Sequence, residues 1–222
     1  MLDTSFPLIK SFLFTLATLL PFLNPPAIAP IFLSMTEGAS QEIRVMLAKK
    51  VAINVSIMLI STMIIGNAIL ALFGISLPIV RIGGGVLIMY SAWNLVTASD
   101  EKSNDSSQDN SMSLEKANSK SFYPLTFPVT FGPGAIAGAI TVGVSILDEN
   151  FSNALLKFSG AVPAILLATF TLYICMKFAS QMLNKLGESG TAVFMRLSAF
   201  IMLCLGVQVC WAGVQGLVNT FL

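Results

Sequence analysis

The chain has 222 residues, 55% of them hydrophobic and only 10% charged, with a formal net charge of +1 and a mean hydropathy of +0.82. A soluble domain carries about 25% charged residues, so these figures put the chain in a bilayer and exclude a soluble enzyme or a nucleic-acid binder with a basic face. Histidine, the commonest metal ligand and the usual general base near neutral pH, is missing, and Cys175, Cys204 and Cys210 sit in apolar runs without a CxxC pair, as small buried hydrophobes rather than disulfides or ligands.

Charges punctuate the sequence and leave charge-free runs at 11–36, 51–80, 82–99, 121–147, 158–176 and 197–222. A bilayer core takes about 20 apolar residues per helix, so each run suits one helix and is too short for two. The predicted helices lie near 9–35, 50–73, 78–98, 122–147, 158–179 and 191–218. A β-barrel would need alternating segments of about 10 residues, and the sequence has none. Ala27-Ile28-Ala29 has the look of a signal-peptide cleavage site, but the apolar stretch before it is too long and Pro30 follows the cut, so no cleavage is expected.

Lysine and arginine set the expected orientation. Arg44, Lys49, Lys50, Lys102, Lys116, Lys120, Lys177, Lys185 and Arg196 fall in connections 1–2, 3–4 and 5–6, against Lys10, Arg81 and Lys157 on the other side. Both termini are therefore expected outside, on the periplasmic side in a Gram-negative cell, with the richer connections in the cytoplasm. Residues 99–121 are rich in Ser, Asn and Asp and hold no aromatic residue. Such a segment buries too little apolar surface to order itself, and it reads as a flexible cytoplasmic linker between halves 1–98 and 122–222.

The halves echo each other. Pro25 to Ala29 and Pro133 to Ala137 both read Pro-x-Ala-Ile-Ala. Leu72-Phe73-Gly74 ahead of Arg81 has its counterpart in Lys185-Leu186-Gly187 ahead of Arg196. Each half has three spans, an odd number, so the second half starts from the opposite face. The expected fold is all-α and integral to the membrane, six transmembrane helices as two inverted three-helix repeats with helices 1 and 4 discontinuous, an architecture of many secondary transporters.

Proline removes a helical hydrogen bond and crowds the preceding turn, so Pro21, Pro25, Pro26 and Pro30 break the first span, and Pro128, Gly132, Pro133 and Gly134 break the fourth. Both breaks fall near the middle of their charge-free runs, hence near the bilayer midplane. Asn24 suits an N-cap, and Pro25 and Pro133 suit the first helical position. Each break is expected to offer free N–H groups and the positive end of a helix dipole to a carboxylate, and free carbonyls to an ammonium group or a coupling cation. Asn24, Pro25, Pro26 and Ala27 would form one wall of a substrate site, and Thr130, Gly132, Pro133, Gly134 and Ala135 the other. Their small side chains favour a small neutral zwitterion. The same residues have a packing reading, because Gly134-x-x-x-Gly138 is a close-approach helix motif and prolines in membrane helices also act as kinks.

Arg81 and Arg196 head apolar runs at matched places, where they snorkel, cap a neighbouring helix or serve in gating. Asn54, Asn67, Asn94 and Gln208 are expected to bond between helices, with Asn54 or Gln208 as possible cavity residues. Asp and Glu stay at span edges and in connections, which argues against a carboxylate proton relay and mildly for sodium, bound by ligands such as Thr126 or Thr130, or for no coupling. No cofactor or metal is expected, and coupling to sodium or protons stays open.

With these residues in view, the chain resembles the MarC family of bacterial and archaeal inner-membrane proteins. The likeness spans the whole length and rests on LNPPAIAPIFLSMT at 23–36, FGISLPIVRIGGG at 73–85, PLTFPVTFGPGAIA at 124–137 and MRLSAFIMLCLGVQ at 195–208. It implies the six-span inverted fold, a site at the broken first and fourth helices, and transport of small neutral amino acids such as alanine and glycine, as in some relatives. Pro26 stands where many relatives have Gly or another small residue, and it removes one N–H from the first break. The expected function is thus a secondary amino acid transporter of the plasma (inner) membrane working by alternating access. The alternatives are a non-transporting structural or stress-response protein and an exporter of another small solute or drug. An enzyme is not expected, since no nucleophile–base pair is present.

Overall fold

The computed structural model describes residues 2–97, 119, 121–147 and 150–221. The expected linker at 99–121 lies, apart from Ser119 and Ser121, outside the described residues. Seven helices are described: α1 (Leu2–Leu23), α2 (Pro25–Met35), α3 (Gln41–Leu72), α4 (Leu77–Thr97), α5 (Pro133–Ile146), α6 (Phe151–Lys177) and α7 (Ala179–Phe221). A wide-turned segment, Ser121–Thr130, precedes α5.

Local chemistry sets most boundaries. The Ser40 hydroxyl accepts from the Ile43 N–H at 3.3 Å and starts α3, with Glu42 favourably placed in its first turn. Asn150 caps α6 by accepting from the Ser152 N–H at 3.1 Å. Gly74 takes φ +66 after α3, while the Ile75 N–H reaches back to the Leu70 carbonyl at 2.9 Å, so the helix closes on a left-handed glycine. Gly187 takes φ +69 and bends α7 at the matching place of the second half. The two Gly corners of the sequence echo are therefore corners of like handedness.

Four helices are long and apolar enough to cross a membrane: Phe6–Met35, Gln41–Leu72, Phe151–Lys177 and Ser189–Asn219. The pair Ser121–Thr130 and Pro133–Ile146, bent by 71°, makes a fifth span if it crosses as one. The chain is thus an all-helical, multi-span membrane protein with a broken span. The third expected span coincides with α4, which is not one of these. Helices also outrun the expected spans. α3 begins nine residues before position 50 and carries Arg44 and Lys49 in its extra turns.

The buried core, including Leu19, Phe32, Val51, Leu59, Phe131 and Ile165, lies among α1, α2, α3, α5 and α6. Helices approach closely wherever glycine faces a neighbour. A β-carbon on Gly143 would strike the Met63 carbonyl of α3, and one on Gly160 would strike the Leu8 carbonyl of α1. Gly85, Gly206 and Gly213 do the same for α4 against α7, where an added β-carbon would lie 2.7 Å from the Gly206 carbonyl, 2.9 Å from that of Gly85 and 2.7 Å from that of Pro78. In a bilayer, where no hydrophobic effect drives helices together, such small-residue contacts carry the packing. Hydroxyls add to it: Ser56 donates to Thr169 at 2.8 Å, and Ser11 to the Lys157 carbonyl at 2.6 Å. Asn54 is the interhelical partner the sequence suggested, reaching Thr126 at 3.4 Å. Cys204 is exposed, and Cys175 and Cys210 are only half-buried, so the cysteines are free but less enclosed than their apolar surroundings implied.

Candidate functional site

The two breaks are built differently. Between α1 and α2 only Asn24 leaves the helix, in the left-handed region at φ 40 and ψ 59. Hydrogen bonding continues on both sides: the Asn24 N–H donates to Leu20, and the Asn24 carbonyl accepts from Ala27 at 3.0 Å and Ile28 at 3.2 Å. Pro25 and Pro26 have no N–H to offer. The expected free N–H groups are therefore missing at this break, because two are abolished by proline and the next two are taken by one carbonyl. What remains is the Asn24 side chain, whose Nδ2 is buried without a hydrogen-bond partner.

The second break is wider. Ser121–Thr130 contains extended dihedrals at Tyr123 and Phe127, each preceding a proline, and cis peptides at Pro124 and Pro128. The residue before proline avoids the helical region, so a Tyr-Pro-Leu-Thr, Phe-Pro-Val-Thr repetition replaces the regular ladder with side-chain bonds. Thr126 Oγ1 donates to the Ser121 carbonyl and Thr130 Oγ1 to the Leu125 carbonyl, both at 2.7 Å and buried. Gly132 is extended, and α5 then starts with Pro133 at its first position, as the sequence predicted. The first N–H of α5 with a backbone partner is that of Ile136, bonded to the Gly132 carbonyl at 3.1 Å. The N–H groups of Gly132, Gly134 and Ala135 have no hydrogen-bond partner among the described residues.

The three residues that carry these groups line a cavity of about 100 Å³. All five residues expected from the second half, Thr130, Gly132, Pro133, Gly134 and Ala135, line it. Asn24, Pro25, Pro26 and Ala27 do not; the first half contributes Pro21 and Phe22 instead, one turn earlier in α1. Ile88 and Ser91 of α4 and Met202 and Leu205 of α7 complete the wall. The sequence did not single out these α4 and α7 residues, since only the fold brings them to the break. Phe22 ties the halves together: its ring lies against Gly138, and a β-carbon on Gly134 would be 3.7 Å from its Cδ1.

A larger cavity of about 320 Å³ adjoins the first and shares Pro21, Phe22 and Leu205 with it. It is lined by Thr18, Arg81, Gly138, Thr141 and Gln208 among others. Arg81 is half-buried here, with Nε donating to Thr141 Oγ1 at 3.4 Å, whereas Arg196 is exposed. The matched arginines of the sequence thus occupy unlike environments. Gln208 lines a cavity, one of the two places the sequence allowed for it.

A multi-pass helical membrane protein with a span broken at a small, amide-lined cavity is the class these features define. The family model for MarC family integral membrane proteins matches residues 9–218, and the chain belongs to that family. It is 27% identical over 205 residues to a UPF0056 membrane protein of Buchnera aphidicola, covering 92% of each chain. A UPF0056 membrane protein of Methanocaldococcus jannaschii is 25% identical over 213 residues, 96% of this chain and 90% of its own. The UPF0056 inner membrane protein MarC of Salmonella paratyphi A is 27% identical over 212 residues, 93% of this chain and 95% of its own. No solved structure matches the chain.

Proposed function

We infer that the protein is a carrier rather than an enzyme: a secondary transporter of small neutral amino acids of the alanine and glycine class, working by alternating access in the plasma membrane. The observation that carries this reading is that Gly132, Gly134 and Ala135, whose N–H groups have no partner among the described residues, line a cavity of about 100 Å³. Unpaired amides at a helix start hold a carboxylate well, and pockets for drug-sized ligands run from about 300 Å³ upward, so the cavity suits a small solute better than a drug. The Asn24 amide, buried and unpartnered nearby in sequence to Phe22, is a second donor that movement of the first break would bring to the ligand.

Two inverted repeats of three spans, with α4 as the third, fit the helix contacts. α1 packs on α6, and its counterpart, Ser121–Thr130, packs on α3; α2 packs on α6, and its counterpart, α5, crosses α3 at Gly143. α4 packs on α5, and α7 on α2; α4 and α7, the third members of each half, pack on each other. A two-fold axis in the membrane plane exchanges these pairs. Ser11 bonds to Lys157 and Gln41 to Lys177, which brings the first half of α1 to the start of α6 and the start of α3 to the end of α6. The lysine and arginine count of the connections, nine against three, supports both termini outside and the linker in the cytoplasm. The printed name of the Salmonella relative, an inner membrane protein, supports the plasma membrane as location.

The test is counterflow of labelled alanine and glycine into proteoliposomes preloaded with unlabelled amino acid, which requires no knowledge of a coupling ion. Saturable uptake that excess alanine blocks is expected. Folded protein without uptake of either would leave the second reading, in which the breaks serve packing. That reading draws on Gly134, where a β-carbon would lie 2.5 Å from Ile88 Cγ1, so the glycine is also required for helix contact.

A further inference from the structure

The larger cavity holds a charge that no acidic side chain among the described residues neutralises. Its lining contains Arg81 and no acidic side chain. A guanidinium has five N–H donors, and Arg81 uses one, Nε to Thr141; its other donors have no hydrogen-bond partner among the described residues. The hydroxyl protons of Thr18 and Thr141 are spent on the Phe14 and Ala137 carbonyls at 2.7 and 2.8 Å, which leaves both oxygens as acceptors. Gln208 adds an amide with both donor and acceptor. A cation in a membrane-embedded cavity calls for a partner, and a guanidinium matches a carboxylate in bidentate fashion.

We propose that Arg81 and Gln208 form an outer carboxylate-binding site, in series with the small cavity at Gly134, with Phe22 in the lining of both. Arg81 takes the carboxylate, and the Thr18 and Gln208 oxygens take the ammonium group of a zwitterion. The two cavities differ in what they select. The outer one, at about 320 Å³, accepts carboxylates of several sizes; the inner one, at about 100 Å³, admits only the smallest. A larger amino acid such as leucine then binds outside and blocks entry without being exchanged. The inner half of this scheme rests on the carrier reading above, while binding at Arg81 stands without it.

The experiment measures thermal protection of the purified protein in phosphatidylcholine nanodiscs by propionate, alanine, leucine and alaninol, and inhibition of alanine counterflow by the same compounds. Propionate, alanine and leucine are expected to protect, and alaninol, which lacks the carboxylate, is not. Leucine is expected to inhibit counterflow without exchanging. Loss of one partner of a desolvated charge pair weakens binding by about 30-fold or more, so Arg81→Gln should shift the half-protecting concentration by that much. Arg81→Lys, which keeps the charge, should shift it less and guards against a folding artefact. Equal protection of wild type and Arg81→Gln, protection by alaninol, or no protection of wild type by any carboxylate overturns the site. Protection that appears only on adding phosphatidylglycerol overturns it in favour of a lipid phosphate on Arg81. Failure of the carrier reading reads differently: carboxylates protect through Arg81, but no amino acid exchanges.

Discussion

The Phe22 ring rests on the backbone of Gly138, so that a β-carbon there would lie 2.6 Å from its Cδ2 and 2.9 Å from its Cε2. This contact joins the end of α1 to the second turn of α5 and sets the ring in the lining of both cavities. Gly138→Ala should therefore displace the ring and destabilise the protein by about 1–3 kcal/mol, the usual range for overpacking. Phe22→Leu in the same chain should recover part of that loss. Unfolding of the single and double variants in detergent measures the coupling, and strictly additive effects would mean that the ring is not seated on Gly138.

Gly143 and Gly160 meet backbone carbonyls, of Met63 and Leu8, and a carbonyl cannot rotate away as a side chain can. Alanine at either position should cost at least about 2 kcal/mol, because whole helices must separate. Gly83 in α4 has nothing within 4 Å of an added β-carbon and serves as the control. Gly83→Ala should be neutral or stabilising by up to about 1 kcal/mol through helix propensity alone. If all three variants unfold alike, close helix approach is not what these glycines provide.

Asn24 sits in a left-handed conformation with a buried, unpartnered amide nitrogen. Burying an unsatisfied donor costs about 1–3 kcal/mol, and glycine accepts the same dihedrals freely. Asn24→Gly should thus be at least as stable as the wild type while losing alanine counterflow. A variant that melts earlier yet exchanges at full rate would show that the side chain supports the fold and not the ligand.

Gly74 and Gly187, at φ +66 and +69, have open space where a β-carbon would go. Any cost of alanine there comes from backbone handedness, about 1–2 kcal/mol each, and not from collision. Asparagine, which tolerates this region, should cost less than alanine. Thermal melts of the four variants test the order; a larger loss for asparagine would point to a crowded corner.

Much of this was legible in the sequence. Charge-free runs located the helices, and prolines located both breaks to within a residue, because a missing N–H and a fixed φ act locally. The corners at Gly74 and Gly187 followed from a repeated pattern for the same reason. The geometry of the breaks did not follow. Whether an N–H stays free depends on which carbonyl reaches it, and Asn24 captures two while Gly132 captures one. Likewise, Arg81 and Arg196 look equivalent in sequence. Only the approach of α5, which brings Thr141 to one and leaves the other exposed, sets them apart.

α4 carries Arg81 and three successive glycines in its first half. Its closest partner is α7, which meets it at Gly85, Gly206 and Gly213. The ribosome reaches α7 only after the linker, α5 and α6 have been made, a delay on the order of ten seconds at ordinary synthesis rates. During that interval α4 has α5 to pack on but not α7. The order of packing is therefore not the order of the chain: the surroundings of the third helix are completed by the last, and a protein truncated before α7 leaves the Gly85 face of α4 without its partner.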